Sequence, residues 1–260
     1  MKFKKLVSAA VMSCALASGA AFATPFTIDA SSFRPAIPGT DGITSLIHQL
    51  GLNWGATSTF TDLDDNGVDI GDSVLDTGVG RVGTYLNGLG SSLSGAEATE
   101  GLGFSYDLDF AYSDLVGTVA FNDGAGGILA SYTSGTISIF LNGNPADEIL
   151  SLGVTGSAGT VGNLLIFADV LSVDAGIFKF NGVDDWFLSP VTINARIDFN
   201  LDPVIPVSIG LDESGKKEKF QRTATLNGSA SFAVPEPGIL ALLGLGLVGI
   251  GAVRRMKKSA

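Results

Sequence analysis

The sequence predicts an all-β domain, an antiparallel β-sandwich or open barrel, between an N-terminal signal peptide and a single C-terminal membrane helix. Three observations carry this prediction: stretches of alternating apolar and polar residues, frequent Gly, Asn, Asp and Ser between them, and an apolar segment near each end. Alternation with a period of two marks strands that bury one face, and many short strands between turns are typical of sandwiches and barrels. The predicted boundaries are 1–23 for the signal peptide, 24–233 for an acidic β-rich extracellular domain and 234–258 for the C-terminal segment.

The beginning of the chain has the three parts of a secretory signal peptide. Lysines within residues 2–5 supply the charged start, an apolar run follows over 6–17, and Ala21 and Ala23 fit an A-x-A cleavage site. We therefore expect the secretory translocon and signal peptidase to act on this segment. Cys14 is the only cysteine, so cleavage after Ala23 leaves a mature chain without a thiol or a disulfide.

Removing both ends leaves a strongly acidic domain. Of the 15 basic and 26 acidic residues, three basic ones lie in 1–23, and four basic ones and one acid lie in 234–260. That leaves 8 basic and 25 acidic residues in 24–233, a net charge near −17. Such a charge excludes nucleic acid and anionic lipid as partners, and it suits divalent cations, cationic surfaces or neutral glycans.

Strand patterns run through the acidic domain. The clearest alternation covers 104–112, 191–201 and 223–234. Weaker strands are predicted at 57–61, 80–86, 116–122, 127–132, 136–141, 164–170, 176–181 and 204–209. The stretch 43–50 is compatible with either a short helix or a strand. Since one face of each clear stretch is apolar and the other polar, we expect half-buried strands in an antiparallel sheet.

Three features follow one another at the C-terminal side of that domain. They are a proline motif, an apolar stretch and a basic cluster: Pro235, Glu236 and Pro237; 239–253; and Arg254, Arg255, Lys257 and Lys258. The apolar stretch would be about 22 Å long as a helix, which is short of the roughly 30 Å hydrocarbon layer. Its flanks support a membrane helix, because the cations hold one end in the cytoplasm and the prolines break secondary structure before the other.

This order of motif, apolar helix and basic cluster resembles the PEP-CTERM sorting signal. The resemblance covers about the last 25 residues. It implies recognition of Pro235, Glu236 and Pro237 by an exosortase, a membrane-embedded cysteine protease or transpeptidase, and orientation by the basic cluster. It also implies cleavage near the motif, followed by release or attachment at the cell surface. Proteins with this signal usually occur in Gram-negative bacteria that make exopolysaccharide, and some are tied to biofilm or floc formation. A plain membrane anchor with a chance Pro-Glu-Pro is the alternative.

One Asp-rich stretch is a candidate calcium site. Its candidate ligands are carboxylate and amide side chains: Asp62, Asp64, Asn66, Asp69 and Asp72. The stretch begins as an EF-hand-type loop does, with Gly67 at the sharp turn. The pattern then fails, because Asp69 takes an apolar position and Ser73 stands where a bidentate glutamate is expected. An acidic turn between strands explains the same residues, so both interpretations stay open and calcium is the one cofactor suggested.

No convincing active site is visible in the sequence. Asp107 and Asp109 share a strand face and could imitate a glycosidase carboxylate pair, although a solvated strand face explains them as well. His48 is the only histidine, and its apolar neighbours indicate a packing position. The sequence therefore predicts a non-enzymatic protein.

The combined prediction is an exported surface or extracellular-matrix protein. It passes through an inner-membrane intermediate, is processed by an exosortase, and associates with exopolysaccharide, in keeping with biofilm or floc formation. A calcium-dependent glycan-binding module is the first alternative. A glycan hydrolase that uses Asp107 and Asp109 is the second.

Overall fold

Strands dominate the part of the chain that has a described structure. The computed structural model of the protein describes residues 25–161, 163–180, 192–198 and 205–233, with only the backbone for 192–198 and 233. The strands are β1 (Phe26–Ile28), β2 (Gln49–Thr61), β3 (Ser73–Leu86), β4 (Leu108–Asn122), β5 (Ile128–Ser134), β6 (Thr136–Leu141), β7 (Glu148–Thr160), β8 (Asn163–Val173), β9 (Phe178–Phe180), β10 (Thr192–Asp198), β11 (Val207–Leu211) and β12 (Glu218–Ala233). A short helix, α1 (Ala96–Thr99), and a 3-10 turn (Pro145–Asp147) complete the described elements.

Ten strands form one sheet, and eight of them close into a ring. Its order is β10-β8-β7-β6-β4-β3-β2-β12, and β10 also pairs with β12, so these strands form a ring. β11 continues the sheet beyond β12, β5 pairs with β4, and β1 and β9 form a separate two-stranded sheet. The ladders whose register is described are antiparallel. The predicted all-β antiparallel class is confirmed, and closure leaves no free edge along the ring.

Alternation along the strands fills the ring with side chains. In β2, the buried residues Trp54, Ala56 and Phe60 alternate with half-buried or exposed ones. The large rings fit because the neighbouring strand is bare at Gly78, where a Cβ would lie 2.4 Å from the Tyr112 ring. The indole nitrogen of Trp54 donates a hydrogen bond to the Tyr112 hydroxyl at 3.1 Å. The interior of the ring is therefore crowded and aromatic.

The observed strands differ from the predicted ones in two informative places. β4 begins at Leu108, and Phe104 is 94% exposed, because Gly101 and Gly103 adopt positive φ and hold that segment in turns. β4 then continues to Asn122 and joins two predicted strands into one. β7 was not predicted, because its glycines and serines imitate a loop.

The predicted signal peptide and the predicted C-terminal membrane helix lie outside the described residues. The signal-peptide residues Ala21 and Ala23, the proline motif at 235–237 and the basic cluster at 254–258 all lie outside the described residues. Among the residues that are described, no helix has the length and apolar character needed to cross a membrane. The described ring belongs to a compact unit that spans Ala23–Phe232.

Candidate functional site

The Asp-rich stretch forms the loop between β2 and β3, and it brings three carboxylates together. Oxygens of Asp62, Asp64 and Asp72 lie within 4.8 Å of one another. Asp62 and Asp72 are each 1% exposed, whereas Asp64 is exposed to solvent. Antiparallel pairing of the two strands explains this arrangement, because it returns the end of the loop to its beginning. Three of the five predicted calcium ligands therefore converge.

Backbone N–H groups already hold the two buried carboxylates of this loop. Asp62 Oδ1 accepts from the amides of Asp64 at 3.1 Å and Asp65 at 2.7 Å, and its Oδ2 accepts from Gly67 at 2.7 Å. Asp72 accepts from two further amides of the loop, both at 2.8 Å. Desolvation raises the pKa of the Asp62 carboxyl, but these amide donors outweigh it and hold the pKa below its usual range. The carboxylates thus organise the loop from within.

Asp64 has a different environment. Desolvation and the neighbouring carboxylates of Asp69, Asp62 and Asp72 raise the pKa of its carboxyl. The amide nitrogen of Asn66 donates to Asp64 Oδ2 and to Asp69 Oδ2, each at 3.0 Å. Asn66 and Asp69 therefore lie beside the three-carboxylate group. A cation placed among Asp62, Asp64 and Asp72 would relieve the repulsion that raises the Asp64 pKa.

The candidate glycosidase pair lies beside an arginine. Arg81 Nη2 is 3.7 Å from Asp107 Oδ2, and Arg81 Nε is 3.7 Å from Asp109 Oδ1. The Asp107 side chain is 35% exposed and the Asp109 side chain is 16% exposed. Both carboxylates therefore share Arg81 as an ion-pair partner, whereas a glycosidase needs two carboxyl groups in different environments, one for the acid and one for the nucleophile or base. This arrangement favours a solvated ion-pair network over an acid and nucleophile pair.

A polar cluster that sequence reasoning missed lies inside the ring. Asp76 of β3 and Arg222 of β12 face a cavity of about 60 Å³ whose other walls are mainly apolar. Asp76 Oδ2 accepts a hydrogen bond from the Tyr132 hydroxyl, and the Arg222 guanidinium lies 5.4 Å from the centre of the Phe60 ring. Burial raises the pKa of Asp76 to about 6, although the Ser58 hydroxyl and the Arg222 charge lower it. The available signal was a charged residue at an inward position of an alternating strand.

An open groove lies on the outer face of β2, β3, β4 and β6, with a volume of about 520 Å³. Hydroxyl groups dominate its polar lining: Thr57, Thr77, Ser113, Thr136 and Ser138. Asp114 and Glu148 add carboxylates, and among the described residues that line this outer groove none is Lys or Arg. The main-chain amide of Thr136 donates to Asp114 Oδ1 at 2.8 Å, which fixes that carboxylate at the groove.

Comparison with known proteins identifies one segment of the chain. No curated protein and no solved structure matches the chain significantly. Residues 233–255 match the family model for the PEP-CTERM protein-sorting motif, a span that includes the motif at 235–237 and the cations Arg254 and Arg255. The match confirms the resemblance and implies an exported protein that an exosortase processes on its way through the membrane to the cell surface. The chain therefore carries a PEP-CTERM protein-sorting motif.

Proposed function

We propose that this protein is an exosortase-processed surface or matrix protein whose acidic β domain associates with exopolysaccharide and contributes to biofilm or floc formation. The observation that carries the proposal is the sorting motif at 233–255. The motif sends the chain to the cell envelope, and the β domain is then the part presented outside. We further propose that the domain acts by binding rather than by catalysis.

The charge of the domain supports a glycan partner over a lipid or nucleic acid. A net charge near −17 over 24–233 repels polyanions and anionic membrane surfaces. A neutral polysaccharide does not suffer this repulsion. Its hydroxyl groups can both donate and accept hydrogen bonds, so they suit a surface of hydroxyls and carboxylates.

The outer groove offers such a surface. Its volume of about 520 Å³ falls in the range of small-molecule sites. Asp114 and Glu148 would accept hydrogen bonds from sugar hydroxyls, while Val79 and Phe140 provide apolar contacts. The groove lies on the outer face of regular strands, so a rigid sheet would hold its side chains in place.

Processing is tested by the intact mass of the protein recovered from the cell surface and the medium of its host. We expect a species that begins at Thr24 and ends between Val234 and Pro237. A Glu236→Gln variant should accumulate with its tail uncut, and Glu213→Gln, which lies outside the motif, should be processed normally. If the protein recovered from the surface keeps residues 239–260, its tail is a plain membrane anchor. The proposal of a matrix protein then loses its support.

Glycan association is tested by cosedimentation with the cell-free exopolysaccharide of the host. Ala111→Trp fills the outer groove, and we expect it to reduce the bound fraction severalfold. Ala125→Trp adds the same side chain to an exposed loop outside the groove and should bind like the unchanged protein. Equal binding by the two variants would remove the groove from the proposal, and no binding by the unchanged protein would remove the polysaccharide.

The three-carboxylate group favours a second candidate, a calcium-dependent glycan-binding module. Calcium takes six to eight oxygen ligands, so three carboxylates would leave places for water or sugar hydroxyls. Asp64→Asn removes charge from the group without touching the amide bonds that Asp62 and Asp72 make. Calorimetry with calcium should then show binding in the unchanged protein and in Asp65→Asn, a loop residue outside the group, and much weaker binding in Asp64→Asn. An absence of calcium heat in the unchanged protein would eliminate this candidate.

A further inference from the structure

The ring cavity contains two buried polar atoms that the described chain leaves unpaired. They are Oδ1 of Asp76 and Nε of Arg222, and both residues line the cavity. Ser58 lies between them in the sheet register, and its hydroxyl lowers the Asp76 pKa, but it makes no hydrogen bond to either of these two atoms. Asp76 is 6% exposed and Arg222 is 7% exposed, so bulk water does not solvate them. An unpaired buried polar group destabilises the folded state, and native proteins rarely leave one without a partner. The two atoms therefore point to a bound group.

The opposite charges of the two residues narrow the chemistry of that group. Asp76 offers an acceptor and Arg222 offers a donor, so the partner must donate to one atom and accept from the other. A hydroxyl group does both. An ion would gain little, because the carboxylate and the guanidinium largely cancel each other's charge within the ring. The partner is therefore neutral.

The walls and the volume of the cavity limit the size and the chemistry of the bound group further. The cavity is about 60 Å³, and a cavity needs about 10–15 Å³ of such volume to hold one water molecule. The apolar walls include Trp54, Phe110 and Leu115, which provide contact for a short alkyl group. Sugars and lipids are too large for this volume, so the occupant is water or a short alcohol.

We propose that the ring cavity is a binding site for small hydroxylic molecules, whose hydroxyl groups donate to Asp76 Oδ1 and accept from Arg222 Nε. The site is distinct from the outer groove and from the three-carboxylate group. The sequence alone assigns no ligand to it, because Asp76 and Arg222 are 146 positions apart in the chain and are brought to either side of Ser58 only by the pairing of β2 with β3 and β12.

A crystal structure of the secreted protein at high resolution tests the proposal. We expect oxygen density within about 3 Å of both Asp76 Oδ1 and Arg222 Nε, in a single molecule or in a hydrogen-bonded pair. An empty cavity would overturn the proposal. A carboxylate in direct contact with the guanidinium, with nothing between them, would overturn it as well.

Ethanol titration distinguishes the two sources of the hydroxyl group. The reporter is the NMR signal of the Trp54 indole N–H, because that ring lines the cavity. A saturable shift identifies the alcohol as a ligand, and a linear shift identifies water as the occupant in the crystal. Ala230→Leu fills the cavity and should abolish both the density and any saturable shift, whereas Thr225→Leu, on the outer face of β12, should preserve them. Persistence of both signals in a folded Ala230→Leu protein would place the bound group elsewhere.

Discussion

Two buried aspartates, Asp62 and Asp76, lie on either side of the turn between β2 and β3 and have opposite pKa shifts. Asp62 is 1% exposed and its pKa is lowered, whereas Asp76 is 6% exposed and its pKa is raised to about 6. The difference lies in their partners. Three backbone amides of its own loop donate hydrogen bonds to Asp62. These donors are part of the main chain, so they are present whatever the side chains are. Asp76 depends on side chains from other strands and keeps one oxygen unpaired. The number of hydrogen-bond donors around a buried carboxyl, more than its burial, decides whether the charged or the protonated form is favoured.

The largest expected effect is on the pH dependence of stability through Asp76. Its pKa is about 6 in the folded protein and 3.8 by reference, a difference worth about 3 kcal/mol. A raised pKa means that the folded state holds the proton more tightly. This stabilisation is complete below pH 3.8 and is lost as the pH rises through about 6.

Urea unfolding between pH 3.5 and 7 measures this loss. We expect the stability difference between the unchanged protein and Asp76→Asn to vary by about 3 kcal/mol over that range. The control is Asp169→Asn, which makes the same substitution at an exposed position on β8. An equal change with pH in this control would show that the effect does not belong to Asp76. If the difference for Asp76→Asn stays constant with pH, the Asp76 carboxyl of the unchanged protein has an unshifted pKa, and the contrast with Asp62 is wrong.

Glycine substitutions sharpen the contrast between a packed ring and a loop shaped by its backbone. Gly78→Ala places a Cβ 2.4 Å from the Tyr112 ring, and such overpacking costs about 1–3 kcal/mol. Gly67→Ala meets no atom within 4 Å, but its φ of 95° is strained for alanine, at a cost of about 1 kcal/mol. In thermal unfolding, we expect the Tm of Gly78→Ala to be lower than the Tm of Gly67→Ala. Gly55→Ala, which has open space and no positive φ, should differ little from the unchanged protein.

The smallest expected effect is that of Asp62→Asn, because the amide oxygen still accepts a hydrogen bond from the loop. The lowered pKa of Asp62 gives the opposite pH dependence to that of Asp76. Its stabilisation is present above pH 3.8 and is lost as the pH falls through the lowered folded value. The protection factors of the Asp65 and Gly67 amides against hydrogen exchange should therefore fall in acid in the unchanged protein, and in Asp62→Asn they should be modestly lower and independent of pH. Unchanged protection in the variant would show that the carboxylate does not hold the loop.

The same contrast explains what the sequence could predict. The Asp-rich loop is a local pattern, so the sequence alone identifies its carboxylates, although it does not predict the position of Asn66 beside the group. The cavity cluster is not local: Tyr132 and Asp76 are 56 residues apart, and Arg222 faces Ser58 across β12 and β2. A single Asp at an inward position looks like a break in the alternation of β3. Strands such as β12 were predicted because their period survives, and β7 was not, because small residues hide its period.

The closing strand also has a mechanical consequence. β12 is the last described strand before the sorting motif, and it lies between β2 and β10. Its ladder with β2 runs without interruption from Lys219 and Thr61 to Ser231 and Gln49. Tension applied to the C-terminal end of β12 acts along the strand, so it loads these hydrogen bonds in shear, all at once, rather than opening them one by one. A ring closed by its last described strand therefore resists a pull on that end of the domain.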